Sequence, residues 1–400
     1  MLFGFLGTIT LVDRLIKKLQ TTFYRSNQFL KVKPAMNKWI CRLGFLFSIT
    51  AAQAQQASGL SSPKSIFENI QNIAVKREVL ASETSRTLIS VESTSNIKKL
   101  AAEHLNARGN VALLLIDSGR IVFEGYAKGS NENHKFISMS MAKSLTALAI
   151  GEALCAGKIS SLNDPAQKYA PELKGLVLGS TKIIDLLKMN SGVKTSQNFH
   201  GNPYPTSGDD LLFQRVTTLE ILKKYDNSGF QSLFGNTWNY SNLDTDALNY
   251  VVRGSTGLSL GDWYAATVAK KAGLASKSYW GLDSNGVEIA PSFYFATLRD
   301  WARLALYIRD AYKNPADSCI KDFILQATKN QIQARSSEFK HYGYQFFASN
   351  TTTIMNDFWM VGYAGQRIGF NMDEDKIILN FSWAPDPERT YSLFRNWIKM

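Results

Sequence analysis

The stretch Ser140-Met141-Ala142-Lys143-Ser144-Leu145-Thr146-Ala147-Leu148-Ala149-Ile150-Gly151-Glu152-Ala153-Leu154 opens with a hydroxyl and an amine three residues apart and continues as a helix apolar on most sides. Residues three apart share a helix face, so the Lys143 ammonium falls beside the Ser140 hydroxyl. Burial at that point would strip the lysine of hydration, lower its pKa and let it take the serine proton near neutral pH. The other reading is that Lys143 snorkels to solvent from the first turn. Serine followed by lysine at the same spacing recurs at Ser61, Ser95, Ser191, Ser318 and Ser337, so spacing alone selects nothing. The apolar helix singles out Ser140, because a helix without a polar face belongs in the middle of a fold.

Around this centre the 400 residues divide unevenly. From Met36 the chain carries a basic start (Lys38, Arg42), an apolar run from Leu43 to Ala51 and a small-x-small site at Ala52-Gln53-Ala54, the pattern of an export leader cleaved after Ala54. The apolar run is only about half the roughly 20 residues of a spanning helix, so stable membrane insertion is not expected once residues 1–54 are removed. Residues 1–35 read either as an extension from an upstream start codon or as an unusual leader start. Residues 1–54 hold eight Lys or Arg and one acidic residue, a net +7 of the chain's +12. The remainder has no basic run interleaved with aromatics, which argues against a nucleic-acid partner. Cys155 and Cys319 then lie in an oxidising compartment, either paired or separately buried. The four histidines, His104, His134, His200 and His341, show no metal-ligand spacing and no Gly-x-Ser-x-Gly elbow, so neither a metal site nor a Ser-His-Asp hydrolase is expected.

A helix is expected over Ile97–Arg108. A hairpin follows, with strands Val111–Asp117 and Ile121–Tyr126 joined at Ser118-Gly119-Arg120. From Ser140 to about Ala275 the signals are helical or loop-like, with a Gly, Pro, Asn and Ser rich excursion from Gly192 to Asp210 in which Phe199, Tyr204, Asp209 and Asp210 either line a pocket or, the default for such a segment, belong to a solvated polar loop. A helix over Leu298–Ile308 precedes strands Gly343–Ala348, Thr353–Met360, Gln366–Asn371 and Lys376–Ser382, the last turn being Asp373-Glu374-Asp375. A closing helix spans about Pro387–Ile398. The fold class is α+β: hairpin and C-terminal strands share one antiparallel sheet flanked by helices. Residues 55–137 and 286–400 form the sheet domain, and a mainly helical domain, 138–285, is inserted with the nucleophile. No internal repeat is present.

Acyl transfer by a Ser-Lys pair also needs a proton relay and an oxyanion hole. Tyr240-Ser241-Asn242 follows about a hundred residues later, and Gly362-Tyr363-Ala364-Gly365-Gln366 leads into a strand where glycine permits close backbone approach. Tyr-x-Asn also occurs at Tyr225 and Tyr312. With Gly157–Pro165, Tyr169–Leu173, Leu186–Gly192 and Ala296–Arg303 between and around them, these motifs make the chain resemble the serine β-lactamase and penicillin-binding protein superfamily. The resemblance is to its class C-like branch of esterases, D-amino-acid peptidases and 6-aminohexanoate-dimer hydrolases, and covers most of residues 105–385. It implies an antiparallel sheet with an inserted helical domain, no cofactor and no metal. It further implies Ser140 as nucleophile, Lys143 as base and Tyr240 as proton relay, with the last two titrating as a coupled pair in which the phenolate is favoured. Asn242 would orient the lysine and the substrate amide, and the N–H groups of Ser140 and Gln366 would meet the oxyanion. Packing for Tyr240 and capping for Asn242 are the plainer alternatives.

The chain departs from the pattern where β-lactamases carry a cation, a hydroxyl and a glycine, having Tyr363-Ala364-Gly365 instead. The groups that hold a carboxylate by charge-assisted bonds are absent, so poor β-lactam turnover is expected and the substrates are small amides or short-acyl esters. Trp238, Tyr344 and Trp359 are candidate pocket walls, with core packing as the equal alternative. The expected protein is an exported serine hydrolase, periplasmic or secreted, of undetermined oligomeric state. The rival is a catalytically weak module that binds a cell-wall peptide or a protein partner.

Overall fold

Strand β1 (Lys76–Val79) and helix α1 (Ser95–Asn106) precede the expected hairpin, in which β2 (Asn110–Asp117) turns through Ser118 and Gly119 into β3 (Arg120–Tyr126). Both turn residues have positive φ, 49° and 79°, as a two-residue type I′ turn requires. After β4 (Lys135–Ile137) come helices α2 (Ala142–Cys155), α3 (Thr218–Asp226) and α4 (Asn242–Thr256), strands β5 (Ser278–Gly281) and β6 (Tyr294–Thr297), and helices α5 (Leu298–Lys313) and α6 (Cys319–Thr328). The chain closes with β7 (Ile332–Gln333), β8 (Phe339–Tyr342), β9 (Phe347–Asn350), β10 (Asp357–Gly362), β11 (Gln366–Asn371), β12 (Lys376–Ser382) and helix α7 (Glu388–Ile398). This computed structural model describes residues 75–193, 216–226, 238–313, 319–351, 356–384 and 386–400. The leader, most of the 192–210 excursion with Phe199, Tyr204, Asp209 and Asp210, and the start of the expected strand at 353 lie outside them.

Hairpin and C-terminal strands share one antiparallel eight-stranded sheet, ordered β3-β2-β12-β11-β10-β9-β8-β7. The seam is β2 against β12, with Leu114 opposite Leu379. Alternation along β2 sends Ala112, Leu114 and Ile116 into the core that also holds Leu145 and Trp301. Leu113 and Leu115 point the other way and pack with Ala101 of α1 and with Phe394 and Trp397 of α7. A strand covered on both faces has no polar side to show, which explains the unbroken apolar run in the sequence. The closing helix packs on the sheet as expected.

Three sequence expectations change. Helix α1 sits two residues earlier, because Thr94 caps it by accepting from the Ile97 N–H. Of the strand expected over Gly343–Ala348, residues 343–346 are instead the turn between β8 and β9 and only Phe347 and Ala348 are strand; in the turn Gln345 has a φ of 61° and a Cβ on Gly343 would meet the Ala327 carbonyl at 1.9 Å. A second, four-stranded sheet, β1-β5-β6-β4, has no counterpart in the sequence reading; its strands are too short for a period-two signal. Its strand β5 falls at the end of the stretch read as helical, and β4 delivers the chain to Ser140.

Helix α2 is buried from Ala142 to Ala153. Its one acid, Glu152, accepts from Tyr307 Oη at 2.7 Å and pairs with Lys271 at 2.6 Å. Cys155 at its end is disulfide-bonded to Cys319 at the head of α6, which decides between the two readings of those cysteines. Among the described residues no helix is long and apolar enough to cross a membrane.

Gly151 lets α6 approach α2: a Cβ there would lie 2.5 Å from the Phe323 ring. Glycine to alanine inside a helix normally stabilises by up to about 1 kcal/mol. Here overpacking reverses the sign, and Gly151→Ala is expected to destabilise by about 1–3 kcal/mol in urea unfolding.

Candidate active site

Ser140 sits in the 3-10 turn Met139–Met141 that runs straight into α2. The turn is set by its neighbours. Ser138 donates its N–H to the Tyr294 carbonyl at 2.7 Å, and its Oγ accepts from the Tyr294 N–H at 3.0 Å. The next residue, Met139, takes a φ of 44°, a strained conformation for a side-chain-bearing residue and typical of functional turns. A Cβ on Gly362 would lie 2.5 Å from the Ser138 carbonyl, so β10 reaches the nucleophile's turn only because that residue is glycine.

Lys143 does not snorkel. It is 1% exposed, with Nζ 3.1 Å from Ser140 Oγ and donating to the Pro291 carbonyl at 3.2 Å. Burial pulls its pKa down to about 7, against the opposing charge of Asp246. Tyr240 hydrogen-bonds Ser140, and its ring centroid lies 5.0 Å from Lys143 Nζ. Burial pushes the phenol up to about 12, outweighing the bond from Ser140 and the charge of Arg367. The expectation that the neighbouring ammonium would favour a phenolate is therefore corrected: desolvation disfavours both ions, so the phenol stays neutral and the amine is neutral above about pH 7.

Tyr240 is held from both sides. Its ring packs against Trp238, Phe347 and Tyr342 at centroid distances of 6.0, 5.8 and 6.5 Å. Its backbone is fastened to the Leu186–Gly192 motif: Asn239 donates its N–H to the Met189 carbonyl at 2.8 Å and its Nδ2 to the Val193 carbonyl at 2.9 Å. Ser241, not Asn242, caps α4 by accepting from the Leu243 N–H at 3.1 Å. Asn242 stands half-buried at the first position of α4 and does not touch Lys143, whose polar partners are Ser140 and Pro291. Of the candidate walls, Trp238 packs on Tyr240 and Tyr342. Trp359 instead faces the α7 side of the sheet, and Tyr344 packs on Phe323.

The turn Tyr363–Gly365 lies between β10 and β11, with Tyr363 60% exposed and Ala364 at a φ of 57°. Five successive carbonyls, Gly362 to Gln366, are each held by a buried side chain. Arg367 Nη1 donates to those of Gly362 and Gln366, Gln366 Nε2 to those of Tyr363 and Ala364, and Asn380 Nδ2 to that of Gly365. Gln366 thus contributes its side chain to the scaffold, and its N–H closes the turn onto the Tyr363 carbonyl. For that N–H to meet an oxyanion this bond must be shared or opened, which modifies the sequence expectation. Sequence reasoning missed Pro291, Asp246, Arg367 and Asn380, all brought in by long-range contacts without a periodic signal. Among the described residues no group of His, Cys, Asp and Glu could hold a metal ion.

The Beta-lactamase family profile matches residues 97–390. A curated relative, the 6-aminohexanoate-dimer hydrolase of Paenarthrobacter ureafaciens, is 23% identical over 295 residues, 69% of this chain and 73% of that protein. Among solved structures, a Bacillus anthracis protein assigned as a 6-aminohexanoate-dimer hydrolase superposes with a TM-score of 0.70 at 18% identity, covering 84% of this chain and 92% of that one. A penicillin binding protein from Bacillus halodurans gives 0.60 at 15% identity, covering 75% and 99%. A D-stereospecific amidohydrolase from Streptomyces gives 0.55 at 16%, covering 73% and 95%.

The Lys143 shift sets two pH dependences. Fluorophosphonate labelling of Ser140 is expected to quicken as pH rises through about 7, where the amine loses its proton. Lys143→Met should remove that limb and slow labelling by about 10²–10⁴-fold. Since the folded pKa of about 7 lies below the ordinary 10.5, the unfolded chain binds more protons between those values. This group therefore makes stability rise with pH across that window, a slope Lys143→Met should abolish in urea titrations.

Proposed function

Because the chain belongs to the beta-lactamase family and is a serine hydrolase, we propose that it cleaves small uncharged amides or short-acyl esters through an acyl-enzyme on Ser140. The observation that carries this reading is a fully buried lysine within 3.1 Å of a serine that is also bonded to a buried phenol. In the reaction, Ser140 Oγ attacks the carbonyl carbon as its proton passes to the neutral Lys143 amine. The tetrahedral oxyanion collapses as the C–N or C–O bond breaks. The leaving group takes the phenolic proton of Tyr240, which is replenished from the Lys143 ammonium. Water then attacks the acyl-enzyme, returning its proton through the same pair and freeing the acid. A phenol held neutral is suited to this because it donates and accepts in turn.

Substrate class follows from charge. No cation stands at Tyr363, and the nearby Arg367 guanidinium is committed to Glu338 at 3.2 Å, Tyr391 at 3.0 Å and two backbone carbonyls. A substrate carboxylate would find no free charge-assisted partner on that strand, whereas the exposed Tyr363 ring offers an apolar face. Export is supported by the leader pattern ending at Ala54 and by the Cys155–Cys319 bond, which suits an oxidising compartment.

The test is intact mass after treatment with a fluorophosphonate, beside Ser140→Ala, followed by an ester and amide panel. One adduct absent from the control is expected; no adduct on either protein would favour the binding-module reading. For the charge argument, kcat/KM for a short-acyl aryl ester should exceed that for nitrocefin by about 10- to 100-fold, the worth of a lost charged hydrogen bond. Equal or faster nitrocefin hydrolysis would refute it.

A further inference from the structure

Asn380 lies on β12 and faces α1, on the side of the sheet away from Ser140, yet its side chain reaches the site turn. Its Nδ2 donates to the Gly365 carbonyl at 3.0 Å, and its Oδ1 lies 2.9 Å from His104 Nε2. The orientation follows from Gly365: a carbonyl can only accept, so the amide nitrogen must face it and the amide oxygen must face the histidine. His104 must then carry its proton on Nε2. The histidine is fixed in turn, being 8% exposed on α1, with its own carbonyl accepting from Asn110 Nδ2 at 2.6 Å. Burial holds its pKa below the ordinary 6.5, so the ring is neutral at pH 7 and this is its one N–H tautomer.

The Gly365 carbonyl and the Gln366 N–H belong to one planar trans peptide unit, in which the two bonds point in opposite directions. Residue 365 is a glycine, without a Cβ to restrict the ψ rotation that orients that plane, so its own backbone preference does not fix it. Fastening the oxygen determines where the N–H can point, and a donor on the oxygen strengthens the N–H as a donor in turn. The Gln366 N–H now closes on the Tyr363 carbonyl, but that carbonyl also receives Gln366 Nε2 at 3.1 Å. It therefore stays bonded if the N–H turns to a substrate.

We propose that Asn380, oriented by His104, is a positioning residue that sets the Gly365–Gln366 peptide plane so that the Gln366 N–H serves the oxyanion. This rests on the serine-hydrolase reading above. The relay runs from the outer helix layer through the sheet to the site, and neither Asn380 nor His104 touches the substrate.

An alkylboronic acid, which forms a tetrahedral adduct on an activated serine, tests the relay without requiring a known substrate. Asn380→Asp keeps the shape and, read at a pH where the introduced carboxyl is ionised, cannot donate to Gly365. It should weaken boronate binding and lower kcat on the best ester by about 10- to 100-fold, somewhat less than outright loss of an oxyanion donor, with KM nearly unchanged. His104→Phe, which removes the orienting donor, should follow the same direction. His104→Gln, which can donate in its place, should recover to within about threefold of wild type. These two decide the matter if Asn380→Asp does not fold. Boronate affinity and kcat equal to wild type in folded Asn380→Asp or in His104→Phe would overturn the proposal alone. So would KM rising in step with an unchanged kcat. A wild-type protein that fails to bind boronate through Ser140 would overturn both this and the serine-hydrolase reading.

Discussion

A lysine that has nowhere to put a positive charge governs this structure. Lys143 stands in the first turn of a helix buried on every side, and its Nζ, beside the Tyr240 ring, hydrogen-bonds a serine hydroxyl and a proline carbonyl. Neither partner is an anion, so the ammonium is stabilised chiefly at a distance by Asp246, itself buried and pushed well above the ordinary carboxylate range. Desolvating an unpaired charge is costly enough that the group gives up its proton instead. The basicity that chemistry needs is thus a by-product of where the helix lies, and the helix lies there because Leu145, Leu148 and Ile150 fill the centre of the core.

What surrounds the pair keeps it from relaxing. The β8–β9 turn plugs the helical side, with Gln345 donating to the Leu186 and Leu187 carbonyls and accepting from Thr245 Oγ1 at 2.8 Å, while its own carbonyl accepts from Ser144 Oγ at 2.6 Å. Every polar atom of that side chain has a partner, which a buried amide requires. The same turn leads into Phe347, which packs on Tyr240. Sheet, helices and Tyr240 are therefore fixed by one short segment, and movement of any of them would strand buried polar groups.

Strong local patterns were legible in the sequence. The hairpin, the shared antiparallel sheet and the closing helix follow from apolar runs bounded by turn residues. Ser140 stood out from its rivals because only it heads a helix with no polar face; Ser95–Lys98, by contrast, places its lysine 51% exposed beside Glu92. The rest depends on contacts with no local signature. His104 and Asn380 are 276 residues apart, and Pro291 and Lys143 are 148 apart; neither pair shows in any window of sequence. Charge was misjudged at Tyr240 for the same reason, since the sequence offers the nearby ammonium but not the depth of burial that outweighs it. The small second sheet was invisible because strands of three and four residues carry too few alternations to register.

The Cys155–Cys319 bond joins residues separated by 164 positions, and within that span lie Tyr240, Asn242 and Pro291. The far end of helix α2 is therefore the clasp of a covalent ring that includes the residues packed around Ser140 and Lys143. A protease that cuts the ring once releases nothing, since both new ends remain tethered to the piece bearing Ser140 and Lys143. Held at high effective concentration, the severed segment can settle back into its place. Such a ring is a form of durability that packing alone does not supply.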